Sequence, residues 1–385
     1  MRDFLPALVL ALLAPSAPLF AVDGTWNVLG PDGGPVSDLA FQPRSSQVLY
    51  AAVTGGVYKS QDAGATWAWA GSGLDPKSQT LSLAVDPVRP TTVYASQGDV
   101  FRSTNGGRSW ELRRIGVSYC YQLAVHPRSS GTMFAATTSG IYRTSDGGDT
   151  WSRIRQGLPR SYGATLIAFD PSRESRLFAW IQQAGIDATV GELVRSNDGG
   201  TTWQRLSDGP RQKQRIQSLA VDPRQPRTLY AGTNRGVYKS VDGGSTWKPT
   251  ALSTVVVYTL KMHAGLGDVY AGTGRGLSLT GDRDIDKTVD GGDTWTLSSD
   301  ALRGREPDLM AISPSISGLL YAAVAFDDVY EIQDGRGTAE PLGTSPSEEL
   351  YTTITVDPTD PCRIYAGTAG NGLLAFTKSG TAGCE

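Results

Sequence analysis

The sequence predicts an all-β fold, a single β-propeller of eight four-stranded antiparallel blades, with seven blades as the alternative. Three observations lead there. A phrase of the form Ser240-Val-Asp242-Gly243-Gly244-Ser-Thr246-Trp247 occurs six times, ending at Trp67, Trp110, Trp151, Trp203, Trp247 and Trp295. A Leu-Ala-Val-Asp-Pro phrase and a Leu-Tyr-Ala-Gly-Thr phrase precede it, and each of these has eight versions along the chain. Glycine supplies 46 of 385 residues and tryptophan nine, a composition that suits short strands and tight turns better than helices. A repeat of about 45 residues holding four strands is the signature of a propeller blade.

Each unit reads in the same order. Strand a is the Leu-Ala-Val piece, starting at Leu39, Leu83, Leu123, Ile167, Leu219, Leu260, Met310 and Ile354. Asp-Pro then makes a turn into strand b, the Leu-Tyr-Ala-Gly-Thr piece. A Gly-rich turn leads to strand c, the Asp-Gly-Gly phrase turns the chain again, and strand d begins at the Trp. Only seven outer strands follow an a-b-c set, the seventh a degenerate one near Ala339 to Leu342. The missing eighth is Trp26-Asn-Val-Leu29, so the N-terminal strand is expected to complete the last blade, and the ring has no exposed seam.

Residues 1–21 read as a signal peptide, with an apolar stretch of about ten residues that is too short to span a bilayer. The propeller occupies 22–385, the mature chain is expected to be secreted or periplasmic, and no later segment is a membrane span. Export permits disulfides. Cys362 and Cys384 are expected to pair, and Cys120 to be a buried small hydrophobe. The chain carries 35 Lys and Arg against 38 Asp and Glu, a formal charge of −3, which gives no reason to expect nucleic acid. His126 and His263 are the only histidines, so neither a multi-His metal site nor a Ser-His-Asp triad is expected. Asp282-Arg-Asp284-Ile-Asp286 begins like a calcium loop but has Lys287 where the turn glycine belongs. No cofactor is expected.

The Asp-Gly-Gly turns are read as structural. The carboxylate of Asp62, Asp146, Asp198, Asp242 and Asp290, or the amide of Asn105, should accept backbone N–H groups two residues on. The following Trp should bury its ring against a neighbouring blade. Asp86, Asp170, Asp222 and Asp357, each before a Pro, have the same role, and His126 takes that position in unit three.

The six phrases resemble the Asp-box, or bacterial neuraminidase repeat, of sialidases, xyloglucanase-type glycoside hydrolases, sortilin-like receptors and photosystem assembly factors. The full unit from Leu219 to Trp247 looks most like the xyloglucanase and sortilin type, and the resemblance covers nearly all of 22–385. It implies the propeller fold. It does not transfer a catalytic residue. The Arg-Ile-Pro phrase of sialidases is missing, and the first Arg after residue 21 is Arg44. The xyloglucanase carboxylate is expected in the first b–c turn, which here reads Ala52-Val53-Thr54-Gly55-Gly56. Those enzymes use two propellers, and this chain has length for one.

The sequence therefore suggests a monomeric, exported, non-catalytic module that binds an extracellular protein or glycan, with a glycoside hydrolase as the alternative. Binding residues are expected on the face bearing the b–c and d–a loops. Long b–c insertions in units four and six offer Asp187 and Glu192 on one wall of a groove, Asp282 and Asp284 on the other, and Arg235 below. Asp99, Asp327 and Asp328 lie on the same face. Tyr119, Tyr121 and Tyr162 are candidates for stacking on sugars or for rim packing, and Arg205, Arg211, Lys213 and Arg215 form a basic segment.

Overall fold

The computed structural model describes residues 24–378, apart from 31–33, 171, 184–190, 207–213, 264, 275–283, 299–301, 303–304, 314, 335–337 and 344–349. The strands form eight antiparallel sheets of four, in a-b-c-d order. In blade 1 these are Val36–Phe41, Leu49–Val53, Gly56–Ser60 and Ala68–Trp69. The eight blades form one propeller. Blade 7 is complete, its strand d being Ala339–Pro341, so the seven-blade alternative falls. Blade 8 takes its outer strand from the other end of the chain: Gly24–Gly30 pairs with Leu373–Lys378, and Trp26 lies opposite Phe376. Their rings are 5.3 Å apart.

The core lies between blades. Strand b is enclosed on both faces, which is why it reads as a continuous apolar run without alternation; Leu49, Tyr50, Ala51, Ala52 and Val53 are all buried. Small residues there let the next blade approach. Trp110 shows how the phrase-ending tryptophans act, packing with Tyr50 and Val57 of blade 1 and Leu83 and Val93 of blade 2. Its indole N–H donates to Ala70 O at 2.5 Å.

The Asp-Gly-Gly turns are closed by their own polar groups, over a longer span than the sequence suggests. Asp242 accepts from the backbone N–H and the hydroxyl of Thr246, at 2.9 and 2.6 Å, four residues on rather than two. Ser240 donates to Asp242 at 2.8 Å and accepts from Gly244 N–H at 2.8 Å. The same pattern holds at Asp62, Asp146, Asp198 and Asp290, and at Asn105 with its amide. The two positions after Asp have φ near +75° and +88° at Gly243 and Gly244. Where Ala63 replaces the first glycine it is held at φ +56°, a conformation that costs a non-glycine roughly 1–2 kcal/mol. Asp86, Asp170, Asp222 and Asp357 each accept two backbone N–H groups of their own turn. His126 does the same job through Nδ1, accepting from Arg128 N–H, and His263 repeats it with Leu266.

Because these carboxylates are committed to turns, Asp242→Ala removes the charged acceptor that closes the turn onto the N–H and hydroxyl of Thr246. The variant is expected to lose roughly 1–3 kcal/mol in a denaturant melt and to bind any loop-face ligand as the parent does. An equally stable variant with lost binding would contradict the structural role.

One clasp between blades is invisible in the repeat. The cation of strand c crosses to the next blade's turn: Lys59 donates to Gly106 O at 3.1 Å, Arg102 to Gly147 O at 2.9 Å, and Arg195 to Gly243 O. Lys59 also lies over the Tyr50 ring. In blade 7 the position is Glu331, and Lys378 of blade 8 reaches back to it at 2.7 Å.

Cys362 is disulfide-bonded, and Cys384, its expected partner, lies outside the described residues. Cys120 is buried and free, and burial pushes its thiol up to about 12, which makes it a packing residue.

Candidate active face

The a–b turns and the Asp-Gly-Gly turns share one face of the ring and are laced together, as by Gly106 N–H to Thr91 O and Gly243 N–H to Arg227 O. The b–c turns and d–a loops lie on the opposite face, and the candidate site is there.

Its centre is built by a recurring irregularity of strand a. In seven blades the pairing of strands a and b slips by one residue at the loop-face end, leaving Ser37, Tyr121, Thr165, Gln217, Tyr258, Asp308 and Thr352 without a partner on strand b. A bulge of this kind re-aims one side chain and is common beside binding sites. All seven are half-exposed or exposed. Strand a is the innermost strand, so the seven residues encircle the mouth of the ring. Two are aromatic, four carry a hydroxyl or amide, and one is acidic. Gln79 donates to the Ser37 hydroxyl at 3.0 Å. Tyr121 lies nearly parallel to Tyr119, with ring centres 6.3 Å apart and planes 11° apart. The two tyrosines are 44% and 55% exposed.

Blades 6 and 7 concentrate acid on this face. Tyr258 hydrogen-bonds Glu306, and burial, with Glu306 and Asp308 nearby, raises its pKa. Burial and the Glu306 charge raise the Asp308 carboxyl as well. Asp286 follows on strand c of blade 6, where six of the other blades put Tyr58, Phe101, Tyr142, Val194, Tyr238 and Tyr330. Ile285 packs toward blade 7, so strand alternation turns Asp286 toward blade 5. Burial pushes its carboxyl up to about 6, with only the Thr273 hydroxyl, at 3.1 Å, opposing. In blade 7, Arg305 binds Asp327 at 2.5 Å and lies over the Tyr330 ring, while Tyr330 donates to Asp327 at 3.2 Å. Beside them Phe326 is 72% exposed and held at φ +58°, a strained conformation for an aromatic residue.

The residues chosen from sequence divide. Asp327 and Asp328 occupy the b–c turn of blade 7, half-buried, with Asp327 held by Arg305. Asp284 does not face solvent: it is fully buried, and its carboxylate accepts from Ile285 N–H at 2.7 Å. Glu192 is turned within its own blade, where both its oxygens meet the Arg205 guanidinium. Arg235 is exposed on the short turn of blade 5, its N–H donating to Thr233 Oγ1 at 3.0 Å. Asp99 anchors the next loop by accepting from Ile115 N–H. Tyr162 is rim packing, buried and donating to Ile154 O at 2.8 Å. Asp187, Asp282, Arg211 and Lys213 lie outside the described residues, as does most of the expected groove.

Sequence reasoning missed Tyr258, Glu306 and Asp308. A signal lies in the repeat: Glu306-Pro-Asp308 is the one place where strand a opens with acidic residues at and before the bulge, the only other charge at these positions being Arg215 of unit five. Among the described residues, no group of three His, Cys, Asp or Glu is placed to hold a metal ion, and no helix is long and apolar enough to cross a membrane.

No protein-family model matches the chain. Its curated relatives are xyloglucanases. It is 28% identical over 219 residues to a xyloglucanase of Paenibacillus sp, covering 54% of this chain and 20% of that protein. It is 29% identical over 208 residues to the oligoxyloglucan-reducing end-specific xyloglucanase of Emericella nidulans, covering 51% of this chain and 24% of that protein. The chain thus spans a quarter or less of the length of these two relatives. Among solved structures it is similar to the Dos1 propeller, with a TM-score of 0.66 at 13% identity over 91% of this chain and 94% of that one. It is also similar to YCF48 bound to D1 peptide, with a TM-score of 0.57 at 13% identity over 93% and 99%. At such identity these two structures speak to the fold alone.

Proposed function

We propose that this propeller is a glycoside hydrolase acting on an extracellular glucan of the xyloglucan type, bound across the loop-face mouth. The observation that carries the reading is the ring of bulge residues. A polysaccharide is recognised by flat aromatic faces and by hydroxyl and amide groups, and Tyr121, Tyr258, Thr165, Gln217 and Thr352 supply both. Asp308 is the one acid in that ring. Its raised carboxyl suits it to give a proton to the glycosidic oxygen as the bond from that oxygen to the anomeric carbon breaks, while Glu306 takes a proton from the water that adds to the anomeric carbon. The sequence similarity to xyloglucanases supports the substrate class. On this reading residues 1–21 direct export, and the mature chain works outside the cytoplasm as a monomer.

The test uses the full mature chain with xyloglucan, following binding by calorimetry and cleavage by new reducing ends. The parent is expected to do both. Asp308→Asn is expected to bind the polymer but to cleave it about 10²–10⁴-fold more slowly. Binding without cleavage in the parent would restore the binding-module reading. A parent that neither binds nor cleaves xyloglucan removes the proposal.

A further inference from the structure

On the opposite face, between blades 4 and 5, lies a shallow cleft of about 490 Å³, broadly open to solvent, whose lining includes Arg173, Arg176, Arg195, Arg227, Asp242 and Ser245. It gathers four guanidinium groups from three separate stretches. Arg173 and Arg176 come from the a–b turn of blade 4, Arg195 from its strand c, and Arg227 from the a–b turn of blade 5.

The negative groups nearby are already engaged. Asp170 holds Arg176 at 3.1 Å and two N–H groups of its own turn. Asp242 is committed to Ser240 and Thr246. Arg176 also donates to Pro226 O at 3.0 Å, and Arg195 to Gly243 O and to Ser245 Oγ, the latter at 3.3 Å. Among the described residues, the Arg173 side chain meets only the Ser175 hydroxyl, at 3.2 Å. The exposed Arg227 side chain has no hydrogen-bond or ion-pair acceptor among the described residues. Positive charge is therefore in surplus. The Arg195 pKa is lowered, by burial first and then by Arg176, with Arg227 adding to it against Asp242.

Two sister clefts show what is missing. Between blades 2 and 3 the residue after the Gly pair is Asp149, and it pairs with Arg102 at 3.0 Å and Arg113 at 3.3 Å. Between blades 5 and 6 the same position is Asp293. Here it is Ser245, so no aspartate answers the arginines where they are most numerous; the remaining boxes have Ala65, Arg108 and Thr201 at this position.

We propose that this cleft is an oxyanion site, taking a sulfate, phosphate or carboxylate group between the exposed Arg173 and Arg227 and the half-buried Arg176 and Arg195. Planar guanidinium forks match such groups with paired hydrogen bonds. The anion can be free or borne by an acidic glycan, and the chemistry of the cleft is the same for both. This inference stands apart from the loop-face reading, since it concerns other residues on the other face.

Calorimetric titration of the full mature chain with sodium sulfate, at ionic strength fixed with chloride, tests it. Direct binding is read rather than melting, because sulfate stabilises any fold by exclusion. The parent is expected to bind sulfate at one site. Arg173→Ala/Arg227→Ala is expected to weaken it at least about tenfold, the loss of a charge-assisted contact. Ser245→Asp, which restores the residue type of blades 3 and 6, is expected to do the same with the fold intact. Inorganic phosphate, a galacturonate oligomer and a sulfated disaccharide are titrated in parallel; about tenfold tighter binding of a saccharide than of the free ions assigns the anion to a glycan, and equal binding assigns it to a free ion. No binding of any of the four anions by the parent, or undiminished binding by both variants, overturns the site.

Discussion

A chain lacking residues 22–30 melts roughly 10 °C or more below the parent, or aggregates on concentration. The deletion removes strand Gly24–Gly30, the outer strand of blade 8. About five ladder hydrogen bonds at ~1 kcal/mol each and the packing of one tryptophan at about 2 kcal/mol go with it, several kcal/mol in all. The larger consequence is topological. Strand Leu373–Lys378 becomes an edge with its N–H and C=O groups open to other chains. Phe376 loses the Trp26 ring at 5.3 Å, and the first and last blades are no longer fastened by a strand from each end of the chain. Differential scanning calorimetry and light scattering on the two proteins decide it. A truncated chain that melts with the parent and stays monodisperse would mean that packing between blades alone holds the ring.

Stability peaks near pH 4–5 and falls on both sides, for opposite reasons. Burial pushes the Asp38 carboxyl from 3.8 up to about 6, against hydrogen bonds from Leu83 N–H, Leu39 N–H and the Ser82 hydroxyl. Burial does the same to Asp286, against Thr273 alone. The native state holds these protons more tightly than the unfolded chain. Their contribution is therefore complete below about pH 4 and lost as pH rises through about 6. Two pKa units correspond to at most ~3 kcal/mol for each group, less where part of the residue reaches solvent. The turn carboxylates have the opposite sign. The Thr66 hydroxyl and N–H hold Asp62 at about 2, and the Thr150 pair does so at Asp146. Their contribution is present above about pH 4 and lost as pH falls through about 2. Thermal melts from pH 2 to 8 should show the maximum. Asp286→Asn combined with Asp38→Ser should flatten the alkaline side; Ser82 shows that serine suits this position, since its hydroxyl accepts from Leu123 N–H at 3.2 Å in blade 2. A double variant that declines as steeply as the parent sinks the explanation.

The eight units, the order of strands within each, the turn role of the Asp-Gly-Gly phrases and the closure of blade 8 by Trp26 to Leu29 are all legible in the residues alone. All of these follow from local rules. Turn chemistry is written in four to eight consecutive residues, strand b shows its burial as an unbroken apolar run, and counting outer strands leaves one to be supplied by the N-terminus. What meets across blades is set by packing and register, which no single unit encodes. The bulge that frees Tyr121, Tyr258 and Asp308 is a one-residue slip between two strands, and a strand pattern looks the same on either side of it. The span of four residues across each Asp-Gly-Gly turn depends on the left-handed glycines that fold the loop back onto the carboxylate. Asp284 reads as a wall residue in an acidic loop, yet Ile285 starts a buried strand and carries it inside. Arg173, Arg195 and Arg227 lie 22 and 32 residues apart in the chain. They form one cleft because a–b turns and strand c from adjacent blades converge on the same face, and its charge surplus rests on a serine where two sister turns have aspartate.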